Sequence, residues 1–108
     1  MKKYFASHGY QVDCAAEAEE AKALLAHVRY RIVITDLQLS PQGTEGLSIA
    51  AEVHRRSPGT RIILLTGSPS EEVGAAARCL GVDAMLEKPK PLNQLEKIIR
   101  ALEGDAVK

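Results

Sequence analysis

Three short apolar runs in the sequence each end with, or are closely followed by, a side chain that could do chemistry. A carboxylate, Asp36, follows the first run, and a hydroxyl, Thr66, ends the second. An ammonium, Lys88, follows the third. A carboxylate can attack phosphorus to form an aspartyl phosphate, while a hydroxyl and an ammonium can hold the phosphoryl oxygens. The residue types therefore indicate phosphoryl transfer, with Asp36 as the acceptor.

These three side chains are informative together rather than singly. An aspartate after a strand is usually a turn residue, a threonine favours strands, and a lysine is usually a solvated charge. Open α/β sheets, however, bind ligands outside the carboxyl ends of their strands. We therefore expect Asp36, Thr66 and Lys88 to converge on one edge of a sheet, with Gly67 leaving space beside them.

The apolar runs are predicted to be strands of a parallel sheet. Runs over 31–35, 61–66 and 84–86 are apolar on both faces, which is typical of strands covered by helices on both sides. Residues 10–14 alternate between polar and apolar, which predicts a further strand nearer the sheet edge. Alternation of strands with helices indicates a doubly wound α/β fold with right-handed crossovers.

Helical spacing of apolar residues predicts helices over 17–28, 46–56 and 92–102. The second of these is expected to bury one stripe of residues, namely Leu47, Ala50, Ala51 and His54. Residues 1–8 resemble the end of a helix that lacks a beginning, with Gly9 as its cap. Gly104 is expected to end the last helix.

The helix after Thr66 carries the strongest boundary signals. Ser68 is a candidate N-cap, Pro69 suits the first helical position, and Glu71 completes a capping box. Gly81 provides the stop at the other end.

Length and composition set limits on the class of protein. The 108 residues, of which 45% are hydrophobic and 26% charged, suit a single globular domain over 1–108 without an effector domain. The net charge of zero gives no general attraction to nucleic acid or membranes. The apolar runs are too short to cross a bilayer, and the basic start of the sequence, which lacks an apolar run, is not expected to be a signal peptide. Cys14 and Cys79 are predicted to be buried thiols in a reducing, cytoplasmic compartment.

Three stretches around the candidate site resemble the receiver domains of two-component response regulators. They are residues 33–39, 63–67 and 81–89, and the resemblance extends over nearly the whole chain. It implies a flavodoxin-like, doubly wound parallel sheet with helices on both faces and the family strand order 2-1-3-4-5. It also implies that Asp36 is phosphorylated by a histidine kinase or phosphotransfer protein, with Thr66 and Lys88 contacting the phosphoryl group.

Further expectations come only from this resemblance. It implies a cis peptide bond before Pro89, and Mg²⁺ bound by Asp36 and the backbone carbonyl of Gln38. Met85 stands at the switch position, where many receivers have Tyr or Phe. The protein is then a phosphoacceptor signalling domain rather than a turnover enzyme.

Two departures from the receiver pattern also lead to expectations. No counterpart of the first, central strand or of its acidic pair of metal ligands is present. We therefore expect weak Mg²⁺ binding and poor labelling of Asp36 by acetyl phosphate. The loop over 37–46 is about two residues longer than the common form, which is ordinary loop variation.

Alternative interpretations remain open. One is a degenerate pseudo-receiver that binds protein partners without phosphorylation. A small α/β enzyme with Asp36 as nucleophile is less favoured, because no general base is apparent. If the first strand is absent, the strand over 10–14 could pair directly with that over 31–35. Alternatively, a second copy could fill the gap and form a homodimer.

Overall fold

The computed structural model describes residues 2–38, 45–67, 70–88 and 90–107, with side chains through Leu102. Its helices are α1 (Lys2–Ser7), α2 (Ala18–His27), α3 (Glu45–Arg56), α4 (Glu71–Cys79) and α5 (Leu92–Val107). Its strands are β1 (Ile32–Asp36), β2 (Arg61–Thr66) and β3 (Ala84–Glu87). The predicted alternation of strands and helices is confirmed from α2 onward.

The described strands form one parallel sheet in the order β1-β2-β3. In the register of the sheet, Ile34 lies beside Ile63, and Leu65 lies beside Leu86. Every residue of β2 after Arg61 is buried, because this strand has a neighbour on each side and helices on each face. Most of β1 is only half-buried, since β2 is its one strand neighbour among the described residues.

Helices cover both faces of the sheet, as the doubly wound prediction requires. On one face, α1 and α5 pack on alternate residues of β2, in a cluster formed by Phe5, Ile63, Leu65, Leu95 and Ile99. On the other face, α3 packs on Ile62 through Ile49, Ala50 and Val53. The second face continues through Leu37, Leu64 and Ala77, which joins α4 to the sheet. The period of two along β2 therefore decides which helix each side chain meets.

The prediction of a strand over 10–14 is wrong. These residues belong to no helix or strand, and the predicted direct pairing with β1 is not formed. A strand requires a row of hydrogen bonds to a neighbouring backbone, and alternation of side chains cannot supply that partner. Residues 10–15 instead run past the open side of β1. The hydroxyl of Tyr30, which lies two residues before β1, holds this segment by donating to Asp13 Oδ2 at 2.6 Å.

The glycine caps of two helices are confirmed. Gly9 and Gly81 have φ values of 92° and 77°, in the left-handed region that glycine enters without strain. Behind Gly81, the N–H of Val82 donates to Ala77 and closes the end of α4. The expected stop at Gly104 is wrong, because α5 continues to Val107. A glycine within a helix costs only about 1 kcal/mol, so it does not by itself end one.

The N-cap of α4 also differs from the prediction. Its cap is Ser70, whose hydroxyl accepts a hydrogen bond from the N–H of Val73 at 3.2 Å. Glu71 is therefore the first helical residue rather than the third position of a capping box. Ser68 and Pro69 lie outside the described residues.

Burial corrects two further expectations. The buried stripe of α3 consists of Gly46, Ile49, Ala50 and Val53. His54 is exposed, with its ring beside Gly81. Cys14 and Cys79 are free thiols, and both are exposed rather than buried. Among the described residues, no helix is long and apolar enough to cross a membrane.

Candidate functional site

The three side chains predicted to act together lie at the carboxyl ends of three neighbouring strands. Asp36 is the last residue of β1, Thr66 is the last residue of β2, and Lys88 directly follows β3. Backbone hydrogen bonds hold these ends together. The N–H of Leu37 donates to Leu65 at 2.7 Å, and the N–H of Lys88 donates to Thr66 at 2.8 Å. The sheet thus brings the three positions to one edge, because neighbouring strands lie about 4.8 Å apart.

Asp36 and Lys88 form an ion pair across this edge. The distance from Lys88 Nζ to Asp36 Oδ1 is 3.0 Å, although 52 residues separate the two in sequence. The side chain of Lys88 is 44% exposed and that of Asp36 is 39% exposed, so the pair is open to solvent. An exposed pair contributes at most about 1 kcal/mol to stability. Its importance is therefore positional, since it holds a cation against the carboxylate.

Thr66 lies between them in the sheet. It is 4% exposed, whereas Gly67, the next residue, is exposed. A Cβ atom added at Gly67 would meet no heavy atom of the described residues within 4 Å. That Gly67 leaves room for a ligand stays a prediction. Thr35, one residue before Asp36, is also buried, and its hydroxyl donates to the Asp36 carbonyl at 3.0 Å.

Gly46 is a component of the site that sequence reasoning missed. A Cβ atom at this position would clash with the backbone carbonyl of Asp36 and would lie 2.8 Å from the Cα of Leu37. The N–H of Gly46 also donates to the Leu37 carbonyl at 2.9 Å. The start of α3 therefore packs directly on the backbone of Asp36 and Leu37. A glycine ten residues after Asp36, in the first turn of a predicted helix, was the available signal.

Met85 lies on β3, on the face that packs against α4. It is half-buried beside the cluster of Leu64 and Ala77. Its methyl carbon would be 3.6 Å from a Cβ atom added at Gly74. The side chain is thus directed toward α4.

Gln38 and Pro89 were also expected at the site. Gln38 is exposed and lies two residues beyond the end of β1. Pro89, with its expected cis bond, lies outside the described residues. So does most of the loop over 37–46, whose extra length stays a prediction.

The expected Mg²⁺ ion does not fit the described side chains well. Mg²⁺ requires near-octahedral oxygen ligands, usually with one or two protein carboxylates. Within the described part of the chain, no three His, Cys, Asp or Glu side chains gather closely enough to hold a metal ion. Asp36 already gives one oxygen to Lys88. Receiver domains generally bind Mg²⁺, but no step at this site is assigned to a metal.

Comparison with known proteins supports the resemblance. The model of the response regulator receiver domain family matches residues 1–100. A transcriptional regulatory protein, PmrA, from Pectobacterium parmentieri is 32% identical over 94 residues, which are 87% of this chain and 41% of that protein. AruR, a transcriptional regulatory protein from Pseudomonas aeruginosa, is 34% identical over 106 residues, covering 94% and 41%. The chain thus spans less than half the length of these relatives.

Solved structures show the same fold. A CheY-like receiver domain protein from Methanospirillum hungatei has a TM-score of 0.83 and 30% identity, covering 95% of this chain and 82% of that one. A response regulator from Burkholderia pseudomallei has a TM-score of 0.80 and 29% identity, covering 98% and 59%. That crystal structure contains a phosphorylated aspartic acid, a calcium ion and citrate. By sequence and by fold, over nearly its whole length, this chain belongs to the response regulator receiver domain family.

Proposed function

We propose that this receiver domain accepts a phosphoryl group on Asp36 from a histidine kinase or a phosphotransfer protein. The observation that carries the proposal is the 3.0 Å separation of Asp36 Oδ1 and Lys88 Nζ at the carboxyl edge of the sheet. The modified aspartic acid of the similar Burkholderia pseudomallei protein supports the same chemistry. The domain acts as a signalling component in a reducing cytoplasm and not as a turnover enzyme.

The transfer uses groups that converge on this edge. A carboxylate oxygen of Asp36 forms a bond to phosphorus while the phosphorus–nitrogen bond of a phosphohistidine breaks. The leaving imidazole takes up a proton. The Lys88 ammonium neutralises one phosphoryl oxygen, and the Thr66 hydroxyl donates a hydrogen bond to another. Because Lys88 already lies against Asp36, this positive charge is in place before the phosphoryl group arrives.

The signal then leaves through the surface formed by α4, β3 and α5. Met85 joins this surface to the site, because it lies three residues before Lys88 and packs toward α4. A movement of Lys88 toward a phosphoryl group would pull on β3 directly. Met85 would then repack against α4 without the hydroxyl that a tyrosine would carry. The output of the whole protein is transcriptional control, by analogy with its longer relatives.

Acetyl phosphate labelling followed by intact-mass measurement tests the proposal. The wild-type chain should gain one phosphoryl group slowly and incompletely, since the described carboxylates form no fitted metal site. Asp36→Asn should remain unlabelled, and Lys88→Gln should label more slowly than wild type. The matched control Lys97→Gln removes an exposed lysine of α5 and should label like wild type. Equal labelling of wild type and Asp36→Asn would contradict the assignment.

A pseudo-receiver that binds partners without phosphorylation is the second candidate. It is favoured by the poor fit of Mg²⁺ to the described side chains. It predicts no labelling of wild type at any Mg²⁺ concentration, together with partner binding that survives Asp36→Asn. Detectable labelling that requires Asp36 would exclude it.

A further inference from the structure

A cleft of about 430 Å³ lies at the amino ends of β1 and β2, at the opposite edge of the sheet from Asp36. One wall is formed by residues 29–31, which lead into β1, and the other by residues 57–60, which lead into β2. The N–H of Arg61 donates to the Arg31 carbonyl at 2.8 Å, so the two walls meet where the strands are already paired. The five residues of β1, at about 3.3 Å each, separate the cleft from the candidate phosphorylation site.

Hydrogen bonds fix the shape of the wall over 57–60. The Thr60 hydroxyl donates to the Tyr30 carbonyl at 2.6 Å, which ties this wall to the other one. The hydroxyls of Ser57 and Thr60 lie 2.9 Å apart, and the Thr60 N–H donates to the Ser57 carbonyl at 2.9 Å. Because these bonds already hold both walls, a ligand would not have to order them on binding.

Two arginines give the cleft its charge. Arg29 and Arg31 both line it and are exposed, and neither forms an ion pair with a described carboxylate. None of the described lining residues is acidic. Like charges on one concave surface reinforce each other and raise the positive potential inside it. A bound anion would remove the repulsion between the two guanidinium groups.

Neighbouring arginines differ from these two because they already have partners. Arg55 and Arg56 both contact the carboxylate of Glu52, and both lie in the last turn of α3, where positive charge suits the helix dipole. Arg31 lies four residues beyond the end of α2 and has neither role. Ion pairing and helix capping therefore do not explain the positive charge of the cleft.

We propose that this cleft binds the diphosphate group of a small molecule, held between the guanidinium groups of Arg29 and Arg31. Each guanidinium presents a planar fork of N–H donors that matches the oxygens of one phosphoryl group. A diphosphate offers oxygens to both forks, whereas a single phosphate satisfies one. The volume of about 430 Å³ is within the usual range for small-molecule sites and leaves space for a group attached to the diphosphate. This binding is separate from phosphorylation, because it uses the amino edge of the sheet.

NMR titration with inorganic diphosphate tests the proposal, at constant ionic strength and without divalent cations. Saturable changes in amide shifts should centre on residues 29–31 and 57–60. Inorganic phosphate is the control ligand and should bind about fivefold more weakly or worse, because it cannot engage both forks. Equal affinity for the two anions, or shift changes centred on Asp36 and Lys88, would overturn the proposal.

Substitution of the arginines tests the assignment to this cleft. Arg29→Gln and Arg31→Gln should each weaken diphosphate binding by about fivefold or more, since each removes a charge-assisted hydrogen bond. The matched control Arg55→Gln makes the same charge change at an exposed position outside the cleft lining. It should leave the affinity within about twofold, because salt screens distant exposed charges. Equal weakening by all three variants would show diffuse attraction to a basic surface and would refute the site.

Titration with ADP tests whether the cleft accepts a diphosphate that carries a larger group. ADP should shift the same amides as inorganic diphosphate and bind at least as tightly. Failure of ADP to shift the amides of residues 29–31, under conditions in which diphosphate does so, would contradict a site for a diphosphate-bearing molecule.

Discussion

At the residue scale, Asp36, Thr66 and Lys88 lie at one edge of the sheet, as the sequence predicted. The packing around them was not predicted. The pairing of Asp36 with Lys88 follows from their places at the ends of parallel strands. Gly46 was not predicted, because its importance depends on how closely α3 approaches the Asp36 carbonyl. A glycine shows this kind of constraint only when its neighbours in space are known.

Replacement of Gly46 by alanine should test that approach. Gly46→Ala is expected to destabilise the fold by about 1–3 kcal/mol, the usual range for overpacking, despite the better helix propensity of alanine. The clash involves backbone atoms of Asp36 and Leu37, which cannot rotate away. Urea unfolding at equilibrium measures the change.

Gly67→Ala is the matched control for this substitution. The added methyl group would meet none of the described heavy atoms within 4 Å, so a change within about 0.5 kcal/mol is expected. Equal stability of the two variants would show that α3 does not press on the backbone of β1.

At the scale of elements, the sequence predicted which segments are helices and strands better than where they end. Strands β1, β2 and β3 lie within one residue of their predicted ranges, since apolar runs on both faces are a strong local signal. The start of α4 differs because several serine and acidic residues could serve as caps. Only the observed hydrogen bond between Ser70 and Val73 distinguishes them.

The cap of α4 leads to a second stability prediction. Ser70→Ala removes the hydroxyl that accepts from Val73 and should destabilise the chain by about 1 kcal/mol. Ser48→Ala, at an exposed position within α3, should be neutral or slightly stabilising, because alanine favours the helix interior. Thermal unfolding of both variants measures the difference. A Ser70→Ala variant as stable as Ser48→Ala would place the cap at another residue.

At the scale of the whole molecule, the side of β1 is where the tertiary structure departs most from expectation. The segment over 10–15 is not part of the sheet. The hydroxyl of Tyr30 connects it to the residues that precede β1. Burial, and then the hydrogen bond to Asp13, raises the pKa of Tyr30 to about 12. This contact joins parts of the chain that no strand pairing holds together.

Tyr30 should therefore link stability to alkaline pH. The folded chain favours the neutral phenol, so its contribution is complete below pH 10.0, the ordinary value, and is lost as pH rises toward 12. Absorbance titration should show a late tyrosinate step that is missing from Tyr30→Phe. The loss of stability between these pH values should also be smaller in that variant. A late tyrosinate step that remains unchanged in Tyr30→Phe would contradict the assignment.

The sequence by itself determined the alternating elements and the positions of Asp36, Thr66 and Lys88 at one edge of the sheet, because apolar periodicity and strand-end positions are local properties. The family followed from the resemblance of three stretches of the chain to receiver domains. The tertiary structure decided which alternating segment is not a strand, which stripe of α3 is buried, and that both cysteines are exposed. It also placed Asp13 and Glu17 in the lining of one pocket together with Asp36. These features depend on partners distant in the chain: a strand forms only beside another backbone, and burial is set by whatever packs on top.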